Sequence, residues 1–232
     1  MRRRDSLRLL CALALLLAAP PSSADDTGPR GTTAVGGVTR ERLPAERNLL
    51  TGHGSRGTDG TVNVVVEIPA GTNAKWEAAK DGGGLVWERE DGRPRVVQYL
   101  PYPANYGMIP ATRLAKEHGG DGDPLDVVLL GPARPRGAVV PGRLIGVLRL
   151  LDRGEQDDKL LAVDPSGPFA GVHDLTELER DFPGATQILD TWFAHYKGPG
   201  KIETAGFGDR ANAVEILEQA EQTFRALAPE KP

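Results

Sequence analysis

Residues 119–132 read GGDGDPLDVVLLGP. The glycines permit a tight turn and Pro124 stiffens it. Val127 to Leu130 then form a short, unbroken apolar run, as expected of a strand buried on both faces. Asp121, Asp123 and Asp126 stand within six positions of one another. This segment therefore predicts an acidic loop that feeds directly into a core strand.

Working outward, the neighbouring segments have the same β character. Val62, Val64, Val65, Val66 and Ile68 form a β-branched run that ends at Pro69, with Glu67 near its end. Leu85-Val86-Trp87, Arg95 to Leu100, Leu144 to Leu151 and Lys159 to Val163 read as further strands separated by turn residues. Strands do not alternate with long helices, which argues against a doubly wound sheet and for a small closed barrel. Helical periodicity comes late. In Ala185 to Lys197, the residues Ile188, Leu189, Trp192, Phe193 and Tyr196 define one apolar face, and Gly198-Pro199 stops the helix. A second helix is expected over Arg210 to Leu227, with Asp209 as N-cap and Ala213, Ile216, Leu217, Ala220 and Phe224 inward.

Composition limits the class. The 232 residues are 39% hydrophobic and 26% charged, too polar for a membrane bundle. One Cys rules out a disulfide framework and a thiolate zinc cluster. Aromatics at 5% and a net charge of −4 disfavour nucleic-acid binding. The 29 Gly and 19 Pro imply many turns.

The N-terminus, MRRRDSLRLLCALALLLAAPPSSADD, has the three parts of a secretory signal peptide. Arg2, Arg3 and Arg4 precede the 11-residue apolar run Leu9–Ala19, and the small residues Ser22 and Ala24 follow. A buried helix or an uncut anchor is the alternative, but the run falls short of the about 20 apolar residues that span a bilayer. Cys11 lies inside the run, which disfavours lipidation. Cleavage after Ala24 removes Arg2, Arg3, Arg4, Arg8 and Asp5, a net +3, leaving −7. The expected organisation is a leader at 1–24, an arm or linker at 25–60 and a domain at 61–228. The product is expected to be secreted or periplasmic, with no membrane segment in its mature form.

Three carboxylates in one loop repel one another unless cations lie between them, and oxygen ligands select hard ions such as Mg²⁺, Mn²⁺ or Ca²⁺. A solvated acidic turn is the plain alternative. An EF-hand needs Gly at position six and Glu at position twelve, but counting from Asp121 those hold Asp126 and Pro132. A second acidic stretch, Leu151-Asp152-Arg153-Gly154-Glu155-Gln156-Asp157-Asp158-Lys159, sits between two expected strands. The pair of loops suggests a site for several metals able to activate water and clamp a phosphoryl group. Lys75, Arg95, Lys159, Lys197 and Lys201, with Tyr102, Tyr106 and Tyr196, are candidate phosphate-binding groups.

Five phrases in order are VVVEIPAGTNAKWE (64–77), RVVQYLPYPANYGMIP (95–110), GDGDPLDVVLLGP (120–132), LLDRGEQDDKLLAV (150–163) and FAHYKGPGK (193–201). Together they resemble the family I soluble inorganic pyrophosphatases, from about Val62 to Phe224. The resemblance implies an α+β, mainly β fold. Its core is a five-stranded OB-like closed β-barrel with two C-terminal helices alongside. It implies hydrolysis of diphosphate to two phosphates with about three to four Mg²⁺ per site, Mn²⁺ being an alternative, and a homo-oligomer, dimeric or hexameric. Asp121, Asp126 and Asp157 match ligands of the tight metal pair, and Asp123 matches the acid that takes the water proton. Asp152 matches a ligand of the ions that arrive with substrate, while Glu67 and Glu77 match outer acids. Lys75, Arg95, Tyr106, Lys159, Tyr196 and Lys197 match the groups that hold phosphate, with Lys75 and Tyr106 close to the reaction. The spacing from Trp87 leaves Arg93 as an alternative to Arg95, and the compact GPGK turn leaves Lys201 open. A broader metal-dependent phosphoesterase and a non-catalytic OB-fold binding module are the competing functions.

Overall fold

The computed structural model describes residues 41–114 and 122–227. The leader, residues 25–40 of the arm and Asp121 lie outside the described residues. In chain order the strands are β1 (Arg42–Pro44), β2 (Val62–Ile68), β3 (Trp76–Ala78), β4 (Gly84–Trp87), β5 (Arg89–Glu90), β6 (Arg93–Pro94) and β7 (Asn105–Met108). They continue as β8 (Asp126–Leu130), β9 (Val139–Asp152), β10 (Glu155–Gln156) and β11 (Lys159–Val163). Helices α1 (Leu175–Asp181) and α2 (Ala185–His195) come next, then β12 (Ile202–Gly208) and α3 (Arg210–Leu227).

The main sheet is organised by β9, 14 residues long. Its first residues pair antiparallel with β2, its middle with β11 and its end with β12 and β10. From β2 the pairings run to β7, then β8, then β11, then β9, and β9 pairs with β2 again. Only β8 and β11 are parallel in that series. A smaller sheet has the order β1-β4-β3, and β5 and β6 form a two-stranded ribbon.

Burial on both faces explains the unbroken apolar runs. Val127 and Leu129 join the core under α3, with Val62, Val64, Leu144, Ala213, Leu217 and Ala220. Val128 and Leu130 face the other way, into the core with Ile68, Leu148, Leu161, Leu189, Trp192 and Phe193. Alternation at period two thus feeds two cores from one strand. Among the described residues no helix is long and apolar enough to cross a membrane.

Several expectations are corrected. Among the described residues there are three helices, not two. The additional α1 is N-capped by Asp174, whose carboxylate accepts from Glu177 N at 2.8 Å. Arg95 to Leu100 is not a strand. Val97 N donates to Asn73 O, and the Asn73 amide donates to Val97 O and Tyr99 O, so one side chain satisfies backbone groups that a ladder would have taken. Helix α2 ends at His195, with Tyr196 as its cap, and Ile188 is 60% exposed although it shares the helical period of the buried face. The arm residue Leu49 is buried in a third cluster with Val65, Trp76, Leu85 and Met108.

Candidate active site

The parallel register of β8 and β11 creates the site's centre. Val127 pairs with Leu160, so the residues just before them, Asp126 and Lys159, emerge side by side at one end of the sheet. Lys159 Nζ donates to Asp126 Oδ2 at 2.5 Å and also to Asp157 Oδ1. Its side chain is only 3% exposed. The two acidic loops found in the sequence therefore meet at one buried ammonium.

Around this point lies a cleft of about 880 Å³. Strand β2 contributes Glu67, the β3 segment Lys75, Glu77 and Lys80, and β7 Tyr106. The turn before β8 contributes Asp123 and Asp126, and the loop after β9 contributes Asp152 and Asp157. Lys197, two residues past α2, donates to Asp152 Oδ2 at 2.7 Å. Lys80 Nζ donates to both Asp123 oxygens, at 2.7 and 2.8 Å. Lys75 Nζ sits 5.1 Å from the centre of the Tyr106 ring. Tyr196 stacks on Trp192 with centroids 4.7 Å apart.

Burial sets most of the ionisation states. It pushes Glu67 up to about 8, with nearby Lys75 opposing, so Glu67 is largely protonated at neutral pH. Its Oε1 accepts from Ala78 N at 2.7 Å. Burial works against Asp126 too, but Lys159, Lys75 and the Tyr106 hydroxyl overcome it and hold Asp126 below the usual carboxylate range. Asp157 is raised by burial, which Lys159 only partly offsets. Burial alone would lower Lys159, yet the two carboxylates keep it above its ordinary value. Burial raises Tyr102, Tyr106 and Tyr196, so each is a neutral hydroxyl donor. Arg95 is half-buried and stays charged, because Glu88 Oε1 accepts from it at 2.6 Å.

The cleft thus gathers Glu67, Lys75, Glu77, Tyr106, Asp123, Asp126, Asp152 and Asp157, with Lys159 and Lys197 bonded to its acids. Arg95 sits just outside, its charge acting on Tyr102 and Tyr196. Arg93 is exposed on the β5–β6 ribbon, and Lys201 is exposed with its carbonyl accepting from Arg153 N. Sequence reasoning missed Lys80 and Glu88. The Asp91-Gly92 pair, with φ of 50° and 74°, forms the hairpin that turns Glu88 back onto Arg95, and that dipeptide was a readable signal. Lys80 had none, since its partner lies 43 residues away.

The donor set suits hard divalent cations, being all carboxylate oxygen. Asp152 Oδ1 is buried with no hydrogen-bond partner, a costly state that a cation would relieve. Among the described residues no three acids stand close enough to hold an ion as they are. Lysine ammoniums occupy the spaces between them.

A model described as inorganic pyrophosphatase matches residues 64–225. The chain is 39% identical over 170 residues to an inorganic pyrophosphatase of Campylobacter jejuni, covering 71% of this chain and 92% of that one. The chain belongs to the inorganic pyrophosphatase family. A longer relative, the inorganic pyrophosphatase of Yarrowia lipolytica, is 35% identical over 72% of this chain, which spans 65% of its length. The solved pyrophosphatase from Thermus thermophilus superposes with a TM-score of 0.65 at 26% identity, over 77% of this chain and 99% of that one. Every one of the five phrases quoted above overlaps the matched pyrophosphatase region.

Proposed function

We propose that this protein hydrolyses inorganic diphosphate to two phosphates with Mg²⁺. The observation that carries the reading is the meeting of two acidic loops across Lys159, with further ammonium groups interleaved. A tetra-anionic substrate and a carboxylate-lined cleft repel each other, so cations must enter with or before it. Magnesium, when bound, neutralises substrate charge and brings the pKa of a water toward neutrality.

The chain's own residues have distinct parts. Asp126, Asp152 and Asp157 would hold the ions, together with Asp121 from the same acidic motif, and Glu67 and Glu77 would support them from the cleft wall. Asp123 takes the proton of the attacking water. Lys75, Lys159, Lys197 and Arg95 bind phosphate oxygens and absorb the charge that develops on the leaving group. Tyr106 and Tyr196, kept neutral by burial, donate hydroxyl hydrogen bonds to the same oxygens. The five strands β2, β7, β8, β11 and β9 form an OB-like barrel in this reading, which their cyclic pairings support. The leader motif at residues 1–24 supports export, and N-terminal sequencing of the secreted product tests it.

The direct test is phosphate release from diphosphate, triphosphate and ATP with Mg²⁺. Strong preference for diphosphate is expected. Equal rates on all three would favour the broader phosphoesterase, and no release from diphosphate would overturn the proposal.

A further inference from the structure

Asp157 and Asp158 are adjacent acids of the second acidic loop, and both border the cleft. They lie in the gap between β10 and β11. One antiparallel register nevertheless runs through both strands, with Asp152↔Glu155 and Leu151↔Gln156 on one side of the gap and Leu148↔Lys159 on the other. The turn that closes it is Arg153-Gly154, with φ of 53° and 86°, the left-handed pair of a two-residue hairpin. In that register Asp157 stands opposite Leu150. Asp157 N donates to Leu150 O at 2.9 Å, as a ladder requires. The return bond is different: Leu150 N donates to the Asp158 side chain, to Oδ1 at 3.0 Å. Gln156 Nε2 donates to the other oxygen, Oδ2, at 2.9 Å.

A carboxylate thus stands where the Asp157 carbonyl would have been. Leu150 is 1% exposed and set in the core, so Asp158 ties the loop to a well-packed point. Residues opposite one another on paired strands share a face, as do residues two apart along one strand. Asp152 and Asp157 therefore project from the same side of the hairpin, Asp157 bonded to Lys159 and Asp152 to Lys197. We infer that Asp158 is a positioning residue for the metal site: by taking the Leu150 N–H it holds Asp157 against β9 and keeps Asp152 and Asp157 turned into one cleft, without itself binding an ion. Both of its oxygens already accept from the hairpin. The inference rests on the reading of Asp152 and Asp157 as ion ligands given above.

Isothermal titration of the full chain with Mg²⁺, in the absence of substrate, tests it. Asp158→Ala is expected to weaken Mg²⁺ binding about 10-fold or more, as loss of a group that orients metal ligands does. Asp158→Asn keeps an acceptor oxygen for Leu150 N and should bind within about 3-fold of the parent. In EDTA, Asp158→Ala should melt no more than about 4 °C lower, the effect of losing one hydrogen bond. Unchanged affinity in Asp158→Ala would overturn the inference. So would an Asp158→Asn as weak as Asp158→Ala, which would make Asp158 a ligand through its charge. A larger fall in melting temperature would also overturn it, since Asp158 would then support the fold at large. Normal Mg²⁺ affinity in Asp157→Asn would instead undo the ligand assignment beneath the inference. A weakened Asp157→Asn beside a normal Asp158→Ala would undo the role of Asp158 alone.

Discussion

Lys159→Met keeps the buried stem and deletes only the charge, so it isolates what the ammonium does. Lys159 is 3% exposed and bonds two carboxylates that are themselves 32% and 30% exposed. Removing one partner of a fully buried ion pair costs about 3–5 kcal/mol. Partial exposure of Asp126 and Asp157 lets water take up some of that charge, which brings the expected loss to about 2–3 kcal/mol. For a domain of this size each kcal/mol shifts the melting temperature by roughly 2–4 °C. The variant should therefore melt about 4–12 °C lower in EDTA by circular dichroism. In saturating Mg²⁺ the gap should narrow, because ions replace the missing positive charge among the acids, and the parent protein should itself melt higher than in EDTA. Catalysis should still fall at least about 10-fold for want of a phosphate-binding charge. Equal melting of variant and parent in EDTA, or a gap that Mg²⁺ leaves untouched, would refute the reasoning.

Three further outcomes are expected. Gly107→Ala places a methyl against the Val65 carbonyl between β2 and β7. It should cost about 3 kcal/mol or more, read as a drop in melting temperature or in soluble yield. Burial works against the Glu221 carboxylate, but Arg56 and Ser55 donate to it and hold it below its ordinary value. Its contribution is thus complete above the unfolded value of about 4.3 and is lost as pH falls through the lowered folded value. Glu221→Gln should cost about 1–2 kcal/mol at pH 7, with the difference in melting temperature closing in acid. Ile188→Ser, on the exposed side of α2, should leave the melting temperature within about 2 °C of the parent.

What the sequence made legible has a physical pattern. Strands β2, β8, β9 and β11 were readable because both their faces are buried, so β-branched and aliphatic residues run without interruption. Helix α3 was readable from its cap and its spacing, and Asp209 Oδ1 does accept from Asn212 N at 2.9 Å. Strand β7, Asn-Tyr-Gly-Met, was not, because its strand character comes from close packing of Gly107 on β2 and not from propensity. Strand β12 hid for a similar reason: Gly206, at φ 75°, lies where its pairing with β9 shifts register. Helix α1 is only seven residues long, although Asp174 and Glu177 are a capping pair that the sequence displays. The acids of the site were legible because they cluster locally. Their partners were less so, since Lys80–Asp123 and Lys197–Asp152 join residues 43 and 45 positions apart.

The central claim is that this cleft breaks diphosphate through a water deprotonated by Asp123. The measurement that tests it most directly is steady-state phosphate release from Mg-diphosphate by the parent and by Asp123→Asn, with Mg²⁺ binding followed in parallel. The account predicts a kcat at least about 10²-fold lower in the variant, with Mg²⁺ affinity largely kept. Near-normal turnover in Asp123→Asn would contradict it.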